Sequence, residues 1–505
     1  MENIIIAGGG IAGLVSAICL SKLNCHILVI ERDQEKDERL NNVNIFESWK
    51  RKGVPQFKHN HTYLLSMYKF FSNEHPELVS EFKKHGVNLY HINEMLPAEL
   101  RSKLIRKTDT DLDMKKINCR RPTLESLLYD YAKSISSINI LHNVKVINVL
   151  GECNGSSIDV RGVVTIVDGE KKEFLGSVID AMGQSSKFVS WLEKMTDKPF
   201  LKDEQLCNTI YISRHYRLRN GQSELLFKGN RNYSYGTDLG YIRFNLFPNE
   251  KGYFSICILI HEREKELFDA LKMPELFHKA CLSIPEIAPW LESDKSVPVS
   301  EPLYFRGMKN RWNIFVENGS LRVKNFYAVG DSHVMTNPWA GKGCAYAMHQ
   351  AQLLRQSFEK YTDLKMRANF FYQTTLNHLG NIFVMLKKES DYFNELAESD
   401  YVNFENNVNL QVLNKKEQGL KYWFLSSYWL AYKVAVMSNP FLMRRIIEEN
   451  HLIKGYNTHL REIGTVIKVL MYMFKGKRNN LQKVKKKLNG PNKSELSRLL
   501  DIKQN

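Results

Sequence analysis

Residues 3–13 read Asn3-Ile4-Ile5-Ile6-Ala7-Gly8-Gly9-Gly10-Ile11-Ala12-Gly13. A β-branched run meets a glycine-rich turn, and the turn leads into Leu14 to Leu23, where apolar residues recur at helical spacing. Cys25 to Ile30 is a second apolar run and ends at Glu31, eighteen residues past Gly13, with Arg32 next. Strand, turn, helix, strand and acid in this order make a βαβ opening. Gly8 permits the tight turn, Gly10 lets the backbone approach a pyrophosphate, and Gly13 lets the helix pack on the strand. Ile11 and Ala12 then form the helix N-terminus that faces the phosphates. Glu31 accepts hydrogen bonds from ribose hydroxyls and repels a 2′-phosphate. The stretch predicts a dinucleotide-binding domain without choosing between NAD and FAD.

Outward from that unit, residues 33–61 are polar and irregular, and Tyr63 to Phe82 reads as one amphipathic helix. A helix follows Pro122 over Thr123 to Ser134. Ile138 to Val149 and Val160 to Asp168 form a hairpin pair, and Val178 to Asp180 is a short buried strand. Between Cys207 and Ile260 the pattern alternates, with Tyr241 to Phe247 and Tyr253 to Ile260 joined by a turn from Pro248 to Gly252. Asn325 to Val329 is a strand running into Gly330-Asp331, Cys344 to Phe358 is a helix, and from Met366 onward nearly everything is helix or polar connector. The expected architecture is α/β: a nucleotide-binding domain over 1–200 and 321–362, an inserted mainly antiparallel β-sheet substrate domain over 201–320, and a helical C-terminal region over 363–505.

The chain has 505 residues, 43% hydrophobic and 25% charged, which suits several packed domains and excludes collagen, low-complexity disorder and a small disulfide scaffold. Its net charge is +16, but the last 31 residues hold ten Lys or Arg and two Asp or Glu. Half of the excess therefore sits in a basic tail, and a nucleic-acid partner is not expected. The eight cysteines are scattered without metal-ligand spacing, so reduced thiols, a cytoplasmic location and no metal site are expected. An acidic Glu2 and early glycines are unlike a signal peptide. The longest apolar stretch, Tyr422 to Met437, is broken by Lys433, so no spanning helix is expected. Arg461 to Phe474 followed by Lys475-Gly-Lys-Arg478 and Lys483-Val-Lys-Lys-Lys487 leaves two readings open, a solvated terminal helix or contact with a membrane surface.

A second segment selects the cofactor. Phe326-Tyr-Ala-Val-Gly-Asp-Ser-His-Val-Met-Thr-Asn-Pro-Trp-Ala-Gly-Lys-Gly-Cys-Ala-Tyr-Ala-Met348 closely resembles the Gly-Asp motif and following loop of flavoprotein monooxygenases of the para-hydroxybenzoate hydroxylase type. Asp331 at a strand end suits a ribityl hydroxyl, while Gly341 and Gly343 open a helix whose N–H groups face an electron-rich ring. Asp180-Ala-Met-Gly183 is similar to another fingerprint of these flavoproteins, with Gln184 where Arg is frequent; Asp180 either supports the cofactor or caps the next turn. Trp49-Lys-Arg-Lys-Gly-Val-Pro-Gln-Phe-Lys-His-Asn-His-Thr-Tyr-Leu-Leu65 is similar to a segment of bacterial FAD-dependent polyketide polyene epoxidases related to squalene epoxidase, although Tyr63 replaces a Leu. The likeness continues through Arg121-Pro-Thr-Leu and covers about residues 1–360.

The resemblance implies FAD bound by Gly8, Gly10, Ile11, Ala12, Gly13, Glu31, Arg32, Arg121, Val146, Asp180, Gly330, Asp331, Pro338, Gly341, Lys342 and Gly343. It implies electrons from NAD(P)H or a separate flavin reductase, O₂ as co-substrate, and transfer of one oxygen from a flavin C4a-hydroperoxide to a small lipophilic substrate, as epoxide or hydroxyl. A reductase of the geranylgeranyl-reductase type, a flavin halogenase and a peptide-modifying hydroxylase are the alternatives; the halogenase signature Trp-x-Trp-x-Ile-Pro is absent. His59 and His61 are candidates for a general-acid role or a metal site, with structural or flavin-packing roles as the other reading, and His333 is a catalytic candidate near the flavin without an evident protonation task.

Overall fold

The structure is a computed structural model that describes residues 1–40, 44–96, 98–103, 114–155, 157–219, 235–401, 420–455, 458–484 and 490–502. Strand β1 (Glu2–Ala7) is buried over its last four residues, as a parallel strand covered on both faces must be. It leads through the glycine turn into α1 (Ile11–Leu20) and then β2 (Cys25–Ile30), in parallel register from Glu2 opposite Cys25 to Ala7 opposite Ile30. The opening βαβ unit therefore forms as its residues predict.

The expected single helix from Tyr63 to Phe82 is instead two, α2 (Leu65–Glu74) and α3 (Pro76–Lys84). Pro76 lacks an N–H and disfavours helical backbone at His75, so the helix restarts there. Helix α4 (Arg121–Lys133) starts at the N-terminal Arg-Pro step. The expected strand from Ile138 to Val149 also divides. Its first part, β3 (Ile138–Leu141), pairs in parallel with β2, and only β4 (Lys145–Asn154) makes the hairpin with β5 (Ser157–Val167). The chain swivels between them at Asn143, which takes a positive φ of 60°. Strand β6 (Ser177–Asp180) returns to pair with β1.

Next comes the inserted sheet. Its centre is β7 (Thr209–Leu218), β8 (Ile242–Pro248) and β9 (Tyr253–His261), all antiparallel, with β9 buried throughout. Residues 220–234, within the expected alternating stretch, lie outside the described residues. Strand β10 (Phe326–Ala328) rejoins the first sheet and completes the parallel order β10-β6-β1-β2-β3. Helix α5 (Gly343–Lys360) packs on α1, and the long α6 (Leu364–Glu398) crosses to the inserted sheet.

The C-terminal region continues with α7 (Leu420–Ser438), α8 (Pro440–Asn450) and α9 (Ile463–Met473). The last helix, α10 (Lys493–Leu499), returns to the inserted domain, where Leu496 and Leu500 join its apolar core and Lys493 binds Glu264 and Asp400. The basic run read as a terminal tail is thus an intervening segment; Lys485, Lys486 and Lys487 lie outside the described residues. All eight cysteines are free. Among the described residues no helix is long and apolar enough to cross a membrane.

A buried ion pair ties the inserted sheet to helix α4. Glu250, in the β8–β9 turn, is fully buried and accepts hydrogen bonds from the Arg120 backbone N–H (2.9 Å), Arg120 Nε (2.8 Å) and Thr123 Oγ1 (2.7 Å). The hairpin turn therefore clasps the start of α4.

Candidate active site

A single cavity of about 1020 Å³ runs from the glycine turn to the inserted sheet. At its first end the backbone does the shaping. Gly8 has φ 108°, and a Cβ there would lie 2.5 Å from the Ala181 carbonyl oxygen; one on Gly13 would lie 1.8 Å from the Gly8 oxygen. Gly10 differs, because nothing stands within 4 Å of where its Cβ would be, and it faces the cavity with Ile11 and Ala12. Helix α1 has no side-chain cap, so its first N–H groups are left for an anion. Arg32 and Val146 line the same end.

Glu31 is more occupied than a free ribose acceptor. Its Oε2 accepts from the Gly9 N–H (2.9 Å) and Arg51 Nη2 (2.7 Å), and its Oε1 accepts from the Asp33 N–H (2.9 Å). It still borders the cavity, but it also holds the glycine turn in place. Arg51 is buried among Glu31, Asp33 and Glu125, and Glu125 passes the pairing on to Arg121 Nε (3.0 Å). Arg51 was not selected from sequence, because an arginine in a polar run shows no sign of burial until its three carboxylates converge on it.

Midway, Arg121 and Asp331 face the cavity. Burial raises the Asp331 carboxyl above its ordinary value, opposed by Arg121 and Arg311. Arg121 Nη1 donates to His61 Nε2 (2.9 Å), which fixes the proton of His61 on Nδ1, where it donates to the His59 carbonyl (2.8 Å). Burial, then Arg121, holds His61 well below the usual histidine range. Burial also depresses His59 to about 4. Both line the cavity as neutral rings, which argues against the general-acid role.

Three expected residues lie off the wall: Gly13, which packs beneath the Gly8 carbonyl, His333 and Asp180. His333 is buried within an aromatic cluster of Trp312, Phe315, Phe371 and Tyr372, and its Nδ1 accepts from Gln350 Nε2 (2.8 Å). The expectation that His333 lies near the flavin as a catalytic candidate is corrected accordingly: it is a core residue. Asp180 takes hydrogen bonds from the Met182 N–H (3.0 Å) and Ser186 Oγ (2.6 Å) behind the wall, and burial raises its carboxyl to about 7. Asp180 thus follows the capping alternative, and the turn that it holds, Ala181 to Ser185, does line the cavity.

The far end is made by Pro338, Gly341, Lys342 and Gly343. Gly341 has φ 62°, and a Cβ on it would strike Thr62 Cγ2 at 2.1 Å. Gly330, with φ 63°, comes close to Ala12. Helix α5, like α1, begins without a side-chain cap, so a second set of free N–H groups faces the cavity. Lys342 Nζ donates to the Asn450 carbonyl (2.6 Å), and burial lowers it to about 8.

Beyond this loop the cavity continues between β7, β8 and α6. Tyr211, Phe247, Phe305, Trp339 and Phe393 give it an aromatic wall, and the Arg243 guanidinium lies over Trp339 (5.6 Å) and Phe393 (4.7 Å). Met385, Glu389 and Ser390 of α6, then Asn450 and His451, complete the wall. His451 Nδ1 accepts from the Leu65 N–H (3.1 Å). None of these was selected from sequence, because aromatic and Met positions on a strand or helix read equally well as core.

Several polar atoms on the wall, Gln56 Oε1, the Asn60 amide and Thr209 Oγ1, are buried without a protein partner. Bare helix N-termini at both ends, an open glycine cradle and orphaned polar atoms fit a long dinucleotide cofactor such as FAD.

No family model and no curated protein matches the sequence. Solved structures do match. The p-nitrophenol 4-monooxygenase PnpA from Pseudomonas putida DLL-E4 is 13% identical, with a TM-score of 0.56 over 90% of this chain and 99% of that one. A flavoprotein/dehydrogenase from Cytophaga hutchinsonii is also 13% identical, with a TM-score of 0.55 over 89% and 93%. CmlS, a flavin-dependent halogenase, is 13% identical with a TM-score of 0.52 over 99% of this chain and 76% of that one. At this identity the shared property is the fold.

Proposed function

We propose that this chain is an FAD-dependent monooxygenase that epoxidises or hydroxylates a small lipophilic substrate. The observation that carries the proposal is the continuity of one cavity, from the Gly8–Gly13 turn past Arg121 and Asp331, across the Gly341–Gly343 loop and into an aromatic chamber. Gly8, Gly10, Ile11 and Ala12 would hold the pyrophosphate, and Glu31, Arg32 and Val146 the adenosine side. Arg121 and Asp331 would hold the middle of the cofactor, and Pro338, Gly341, Lys342 and Gly343 its ring. When bound, FAD supplies the redox chemistry with O₂, and its electrons come from NAD(P)H or a separate reductase.

The chain's own residues bind, orient and exclude water. The N-terminus of α5 offers aligned N–H dipoles to negative charge on the ring. Neutral His61 fixes the direction of Arg121, and the aromatic wall keeps the chamber dry while placing an apolar substrate. No side chain is required to shuttle protons at the reacting carbon, consistent with the depressed His59 and His61.

A hydride-transferring reductase and a halogenase are the competing readings, since dehydrogenase and halogenase neighbours share the fold. The test is to incubate FAD-loaded, reduced protein with a panel of polyene and aromatic lipids under isotopically labelled dioxygen, with and without halide. A product carrying one labelled oxygen atom supports the proposal. A saturated or desaturated product without label, or a halogenated one, overturns it.

A further inference from the structure

The helical block after α6 carries a surface that the cavity does not use. Among the described residues, eight of the eighteen large apolar side chains left exposed lie between Phe424 and Phe474, a tenth of the chain. Four of them form one stripe along α9 and its end: Ile463 (78% exposed), Ile467 (53%), Met471 (61%) and Phe474 (90%). Their spacing of four, four and three places them on a single helix face. The opposite face is already satisfied, because Thr465 and Val469 are buried and Val469 packs with Ala431, Ala435 and Leu442. Among the described residues, the stripe is therefore the helix face turned away from the core.

Charge identifies the occupant. From Ile463 to Ser494 the sequence holds nine Lys or Arg and no Asp or Glu. Lys475 and Arg478 are exposed directly beside Phe474. A second copy would bring the same positive charge to the same place, and nucleic acid would engage the cations and leave the apolar stripe wet. An anionic bilayer satisfies both features: the stripe enters the headgroup–acyl boundary and the cations meet lipid phosphates. We infer that α9 and the basic residues directly after it, Lys475 and Arg478, dock this chain on an anionic membrane surface. Docking requires no flavin chemistry, so it stands or falls apart from the proposed activity. It would also bring the bilayer to the same helical block whose Asn450 and His451 wall the cavity.

The test is flotation of the full chain with vesicles of phosphatidylcholine alone or of roughly three parts phosphatidylcholine to one part phosphatidylglycerol. Binding is expected only to the anionic vesicles and is expected to weaken with salt. The triple variant Ile467→Ser/Met471→Ser/Phe474→Ser is expected to bind about tenfold more weakly with an unchanged Tm, because the replaced side chains are exposed. Lys475→Glu/Arg478→Glu is expected to do the same without touching the stripe. Equal binding to neutral vesicles, full binding by the triple variant, or a concentration-dependent dimer that the triple variant dissolves would each overturn the inference.

Discussion

The two ends of the cavity are built by different means. The proposed cofactor end is backbone: glycines where a Cβ would collide, and helix termini with no side-chain cap, all within short stretches of sequence. The chamber end is side chains brought together from β7, β8, α6 and Asn450–His451, elements scattered over some 240 residues. Backbone shape is set by local sequence, whereas a wall of side chains is set by which elements happen to meet. The first end is expected to be intolerant of small changes and the second to tolerate them.

The largest expected effect strikes the joint between the β8–β9 turn and α4. Glu250→Ala leaves Arg120 buried without its carboxylate, a loss of about 3–5 kcal/mol in unfolding free energy by chemical denaturation. A change under 1 kcal/mol would show that the hairpin turn and the start of α4 are not clasped as described.

How far each end was legible follows from the same contrast. Gly8 and Gly13 could be read because each answers a local steric demand, Gly10 because the turn between them needs unobstructed backbone, and the β8–β9 hairpin because its turn chemistry sits between alternating runs. Glu250 within that turn was read only as a turn residue; its grip on Arg120 spans 130 positions. The run from Ile138 to Val149 looked continuous because β3 and β4 have similar residues, and only pairing with β2 separates them. Arg51 and the α6 wall were missed because burial and convergence are tertiary facts. His333 was misplaced because closeness to Asp331 in sequence says nothing of direction: the two side chains leave a tight turn toward opposite sides, cavity and core.

The next effect isolates the cofactor end. Gly10 has extended backbone and open space around its Cβ position, so Gly10→Val is expected to leave apo-protein stability nearly unchanged while weakening FAD binding about a hundredfold, ~2.7 kcal/mol. Isothermal titration alongside thermal denaturation separates the two quantities.

Asp180 gives a smaller effect, dependent on pH. Its carboxyl is raised to about 7 by burial, so the folded state holds this proton more tightly than the unfolded chain. The associated stability is present below the ordinary carboxyl range and is lost as pH rises through about 7. Asp180→Asn keeps an acceptor for the Met182 N–H and is expected to lose less stability over that interval, by about 2 kcal/mol. Denaturation at acidic and mildly alkaline pH checks the difference.

The smallest effect belongs to the chamber. Tyr211 Oη donates to Asn337 Oδ1 at 2.5 Å, so Tyr211→Phe is expected to cost about 1 kcal/mol in stability and to leave the FAD dissociation constant within about threefold. A loss of FAD binding like that of Gly10→Val would erase the distinction between the two ends.

The central claim is that the cavity is a flavin dinucleotide site. Titrating the purified apo-chain with FAD, followed by flavin fluorescence, tests it most directly: saturation at one FAD per chain that is abolished in Gly10→Val is the result this account predicts. A wild-type chain that stays colourless and binds no FAD while folded would contradict it.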